Sequence, residues 1–132
     1  TMLKKTIVAV LAVFVVWSAL DFLIHGLILK SSYEATARLW RPMTEMKMGV
    51  MHLAVLIASF AFVCIYARLL AKRGVGTGLE YGLWFGLAAG VSMGYGTYSV
   101  MPIPYHMALT WFLGSLAQGA VGGVITGWII RD

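Results

Sequence analysis

The chain has 132 residues, of which 61% are hydrophobic and only 11% charged, and its mean hydropathy of +0.87 excludes an ordinary water-soluble domain. Its formal net charge of +5 does not point to nucleic acid, because the basic residues stand at the ends of apolar stretches and not in a patch interleaved with aromatics. A membrane span needs about 20 apolar residues, and stretches at about 6–29, 48–70, 78–100 and 105–130 use most of the chain, leaving one membrane domain and no room for a soluble catalytic module.

The first stretch follows Lys4 and Lys5 in the manner of a signal peptide. It continues for about 24 residues without a small-x-small cleavage site, so the sequence predicts a retained span. Asp21 lies inside it. A carboxylate at the centre of a membrane helix costs about 2.5–3.5 kcal/mol on insertion scales, so it needs a partner or a purpose. His25 is four residues on and Ser18 three residues back, which puts all three on one helical face. A carboxylate so placed fixes the tautomer of a histidine and raises its basicity, as around many metal and haem ligands. It serves equally to neutralise two polar groups.

Residues 30–47 form the one long connection. Tyr33, Leu39 and Trp40 alternate there with Glu34, Arg38 and Arg41, predicting a short interfacial helix stopped by Pro42. Met43, Met46, Met48 and Met51 then lead to His52, a run resembling methionine-rich tracts that hold copper(I) through soft thioethers. In the second span His52, Ser59 and Tyr66 recur every seven residues, giving one mildly polar face. Cys64 is the single cysteine, so no intramolecular disulfide forms. Residues 71–76 are a glycine-containing reversal. Lys4, Lys5, Arg68, Lys72, Arg73 and Arg131 fall on one side of the spans, and Lys30, Arg38, Arg41 and Lys47 on the other. That bias predicts both termini in the cytoplasm.

The third stretch carries glycine at every fourth position, Gly78, Gly82, Gly86, Gly90 and Gly94, and the fourth repeats the spacing at Ser115, Gly119, Gly123 and Gly127. Each glycine costs an exposed helix roughly 1 kcal/mol against alanine, so such a ladder belongs where lipid enforces the helix and backbones touch. Two readings of this glycine zipper stand: a tight hairpin of spans three and four, or a face for another copy or another subunit. Glu80 sits at the start of span three, expected near Arg73 and favoured by the helix N-terminus. In span four, His106, Thr110, Gly114 and Gln118 form a second mildly polar face. With the N-terminus inside, His25, His52 and His106 reach one level near the outer surface. Together with Asp21 and nearby methionines they are a candidate donor set for zinc, copper or haem iron.

The layout is similar to that of small multidrug transporters, with four spans and one membrane carboxylate in the first, which implies proton-coupled exchange of a cationic substrate at Asp21. The motif around the carboxylate differs, however, and the first loop is longer. A four-span enzyme of the glutathione-transferase-like type is disfavoured, because its arginine and glutamate constellation is missing. Residues Leu20–Gly26, Tyr33–Thr36, Leu39–Pro42 and Met101–Tyr105 together resemble a group of small uncharacterised bacterial four-span membrane proteins, which implies an inner membrane and no stated activity. The sequence thus predicts an antiparallel four-transmembrane-helix bundle with an interfacial segment between helices 1 and 2. It is expected to be a non-enzymatic homo-oligomer or accessory subunit of a larger membrane complex, holding a metal or haem near the outer face.

Overall fold

The computed structural model describes residues 1–132, which form helices and no strands. Helix α1, Met2–Asp21, starts on Thr1, whose hydroxyl accepts the Lys4 N–H at 3.2 Å. It runs on into a π-helical stretch, Phe22–Ile28, where the Leu29 N–H bonds the Ile24 carbonyl five residues back at 2.9 Å. Helix α2 is Lys30–Ala35, followed by single 3-10 turns at Ala37–Leu39 and Met43–Glu45. Helix α3 is Met48–Leu69. Helix α4, Val75–Gly90, passes through a π-helical stretch, Val91–Gly96, into α5, Thr97–Val100, with right-handed helical dihedrals at each junction. Helix α6, Tyr105–Ile129, follows Pro104.

The helix α2, expected to be interfacial, is shorter than the sequence suggests and does not run to Pro42. It ends at Ala35, where Thr36 leaves the helical region with φ −114° and ψ 28°. Three helices are long and apolar enough to cross a membrane: Met2–Ile28, Met48–Leu69 and Tyr105–Ile129. The rod at 75–100 is helical along its length but not among them, since its glycines add no apolar surface and it carries Glu80, Tyr81, Tyr95 and Tyr98.

Glycines decide how that rod packs. The two ladders meet each other antiparallel: Gly78 lies on Gly123 and Gly127, Gly82 on Gly119, Gly86 on Ser115, Gly90 on Phe112 and Gly94 on Ala108. A Cβ at Gly82 would overlap the Gly119 carbonyl oxygen, and one at Gly94 would lie 2.7 Å from the Ala108 oxygen. Backbones in contact gain dispersion and weak Cα–H···O bonds, the main attraction left between helices when the surroundings are as apolar as the side chains. The ladders are therefore buried inside the chain.

Helix α1 joins this hairpin through Trp17. The indole fills the notch at Gly122, where a Cβ would lie 2.8 Å from Nε1, and donates to the Gln118 carbonyl at 2.8 Å. Ala9, Val10, Val13 and Trp17 pack with Phe62, Val63, Tyr66, Ala67 and Ile130. Phe62 stands with its ring 5.0 Å from Trp17, 4.6 Å from Tyr81 and 4.9 Å from Phe85. Only the second half of α3 takes part. Residues 48–54 are exposed on every side, so the start of α3 leaves the bundle.

At the end that carries both termini, Tyr66 ties three elements together. Its Oη accepts the Gly74 N–H at 2.7 Å and donates to the Ile130 carbonyl at 2.7 Å. Gly74 has φ 151°, a conformation that favours glycine, and its carbonyl opens α4 by accepting the Gly78 N–H at 2.8 Å. Arg73 donates to the Ala67 carbonyl at 2.7 Å and pairs with Asp132 at 3.9 Å.

Candidate functional site

Asp21 closes the regular part of α1, and Gln118 lies close to the midpoint of the 25-residue helix α6. The Gln118 side-chain amide donates to Asp21 Oδ1 at 2.7 Å, while Trp17 returns a hydrogen bond to the Gln118 backbone. One turn of each helix is thus locked to the other by an acid, an amide and an indole. Asp21 is partly exposed. Its second oxygen, Oδ2, makes no hydrogen bond and is open to the surface. Every lysine and arginine stands at a helix end or in a connection, so none is level with Asp21.

Ser18, one turn back, has a buried hydroxyl without a hydrogen-bond partner. An unsatisfied buried hydroxyl contributes nothing to stability and costs its desolvation. Ser18→Ala is accordingly expected to leave the thermal midpoint in detergent unchanged or to raise stability by up to about 1 kcal/mol. A clear drop would show that the hydroxyl has a partner in the working protein.

Asp21 and His25 do not pair as the spacing suggests. The π-helical stretch begins directly after Asp21 and widens the turn, so a residue four positions on no longer stands above it. His25 instead places Nδ1 2.6 Å from Tyr33 Oη, and the same phenol accepts the Trp111 indole N–H at 2.9 Å. The Tyr33 phenol thus joins His25 to Trp111. Burial pushes the Tyr33 phenol above its ordinary pKa, opposed by the Trp111 hydrogen bond and reinforced by the Asp21 charge. Trp40 closes the cluster, 5.3 Å from Tyr33 and 6.1 Å from Trp111, with its N–H on Thr36 Oγ1 at 2.9 Å.

His106 has the same kind of employment. Its Nε2 lies 2.7 Å from Ser32 Oγ on α2, and Thr110 donates to its backbone carbonyl at 2.7 Å. His25 and His106 therefore pin α2 across the ends of α1 and α6. His52 is not with them, because it stands on the part of α3 that leaves the bundle, exposed like Met48 and Met51 beside it. No group of three or more His, Cys, Asp or Glu side chains is placed to hold a metal ion. The expected convergence of His25, His52, His106 and Asp21 is corrected accordingly: two of the histidines hold α2, the third is exposed on α3, and Asp21 belongs to Gln118. The methionines do not assemble either, as Met107 is buried under Ile24, Leu29 and Ile103 while Met93 is exposed.

Of the two polar faces, that of α6 turns inward. Gly114 receives Ile24, Gln118 meets Asp21 and His106 meets Ser32. On α3, Ser59 and Tyr66 are buried but His52 is not, and Ser59 spends its hydroxyl on its own helix at the Val55 carbonyl, 2.8 Å away. Glu80 also departs from expectation. Arg73 is taken by Asp132 and Ala67, and Glu80 lines a shallow groove of about 340 Å³ with Leu83, Trp84, Leu87 and Leu116. A second groove of about 230 Å³, lined by Leu79, Ala120, Val121, Val124 and Ile125, is wholly apolar.

Trp17, Ser32 and Trp111 escape a reading of the sequence. Gly122, a glycine off the four-residue ladder, is the one signal that a large side chain enters there. Ser32 and Trp111 carry no such mark. No protein family, curated protein or solved structure matches the chain.

Proposed function

We propose that the protein is an integral membrane subunit. It is an antiparallel four-helix bundle of the bacterial inner membrane, with both termini cytoplasmic and no catalysis of its own, and it works by associating with other membrane helices. The rod at 75–100 counts as the fourth span because it is in backbone contact with α6 from Gly78 to Gly94, so it goes where α6 goes. Orientation rests on the six basic residues near the terminal end against four at the other.

The observation that supports association is Asp21. Ionisable groups at mid-membrane depth face a bundle interior or pair with an opposite charge. Asp21 is held by a neutral amide on one oxygen, open on the other, and has no cation of its own chain at that depth. The glycine ladders do not supply the association surface, being spent on each other within the chain.

The test is the mass of the protein component after extraction from native membranes in mild detergent. A value well above the 14.4 kDa of one chain is the expected result, and a single chain overturns the reading. Proton-coupled transport at Asp21 is the competing reading. It requires proton release when a lipophilic cation is added, lost in Asp21→Asn.

A further inference from the structure

We propose that the surface where α1 meets α6 docks a transmembrane helix of a different protein carrying a lysine or arginine near its midpoint, paired with Asp21 Oδ2. The proposal rests on the subunit reading above and names the chemistry of the partner.

Three observations select that occupant. Depth comes first: Asp21, seven residues before its helical run ends at Ile28, is bonded to Gln118 near the midpoint of α6, so a group that pairs with it must be carried into the apolar part of the bilayer. Lysine and arginine do this on a helix, whose backbone satisfies its own hydrogen bonds. Charge comes second. Oδ2 is free and open, and the molecule's one ion pair, Arg73 with Asp132, is elsewhere. The third is that a second copy cannot serve. All ten lysines and arginines of the chain lie at helix ends or in connections, and His25 and His106 are engaged with Tyr33 and Ser32. Side chains near Asp21 along the two helices suit a helical partner, since Ala19 on α1, Phe22 and Leu23 in the π-helical stretch and Leu113 and Ala117 on α6 are exposed and uncharged.

Gln118 acts here as a positioning residue. Its amide bonds Oδ1 and leaves Oδ2 without a partner in the chain. A carboxylate fixed in this way loses little freedom when it meets an ammonium or guanidinium group, and the charge-assisted bond that results is stronger than a neutral one.

The experiment uses the full-length protein in phosphatidylcholine vesicles with a labelled single-span leucine–alanine helix that carries lysine at its centre, and a twin with leucine there. Energy transfer reports association. The lysine-centred helix is expected to bind wild type at least about tenfold more tightly than its twin, and Asp21→Asn, which can keep the Gln118 contact, is expected to abolish the difference. Equal binding of the two helices to wild type overturns the proposal without need of any variant. A preference that survives in Asp21→Asn also overturns it, because the cation is then read elsewhere. Tetraphenylphosphonium is run beside the helices; Asp21-dependent binding of that ion without preference for the lysine-centred helix would transfer the site to small lipophilic cations. The mass measurement keeps the two readings apart. A large native assembly with no lysine preference retains the subunit and removes this partner, whereas a single chain removes the subunit itself.

Discussion

Gly82→Val is expected to prevent the α4–α6 hairpin from closing, and Gly82→Ala alone to cost about 3 kcal/mol or more. An added Cβ would overlap the Gly119 carbonyl oxygen and come within 2.7 Å of its carbon. That obstacle is backbone, and it cannot turn aside as a side chain does. The helices would have to part, and the contacts from Gly78 to Gly94 on one side and Ala108 to Gly127 on the other would open together. Packing is the main attraction between helices in lipid, so a gap opened along the whole seam is not offset by any gain elsewhere. Gly76→Ala and Gly96→Ala are the controls. Nothing lies within 4 Å of a Cβ at either, and both are expected to be neutral or stabilising by about 0.5–1 kcal/mol. Thermal midpoints of the purified variants, read by retained monodispersity in detergent, check all four. A tolerated Gly82→Val would mean that the ladders do not face each other within one chain.

Tyr66→Phe is expected to cost at least about 2 kcal/mol while leaving the ring packing intact. The Tyr66 hydroxyl serves the Gly74 N–H and the Ile130 carbonyl, each at 2.7 Å, and removing it leaves both backbone groups without that partner at about 1–3 kcal/mol apiece where water does not replace it. Position makes the loss count. Gly74 begins α4, Ile130 ends α6 and Tyr66 lies in the last turns of α3, so one hydroxyl joins three helix ends. Faster proteolysis in the 70–74 connection, together with a lowered thermal midpoint, is the readout. Tyr95→Phe is the comparison. Its hydroxyl meets the exposed Tyr105 hydroxyl at 3.0 Å, and its loss is expected to change neither measure.

What could be read from the sequence follows the reach of the signals. Helix number and the antiparallel ladder hairpin are written in periodicity, because a glycine every fourth residue marks one face of a helix whatever the rest of the fold does. The rod at 75–100 shows the limit of composition, since the glycines that pack it also lower its apolar character. Asp21 and Gln118 are both visible as polar residues in apolar stretches, but that they meet is a matter of helix rotation and depth, which spacing along one chain does not contain. The misplaced histidines have a local cause each. A π-helical stretch after Asp21 shifts the register of His25, Ser32 on α2 takes His106, and the exposed start of α3 keeps His52 out of the bundle. Spacing along the chain carries no information on which way each of the three turns.

Comparison of wild type with Asp21→Asn by the mass of the protein component extracted from native membranes addresses the role of Asp21 most directly. Wild type is expected to carry several chains and the variant to fall to a single chain of 14.4 kDa with unchanged helical content. Equal masses for the two, at equal helicity, would show that the Asp21 carboxylate does not hold the assembly together.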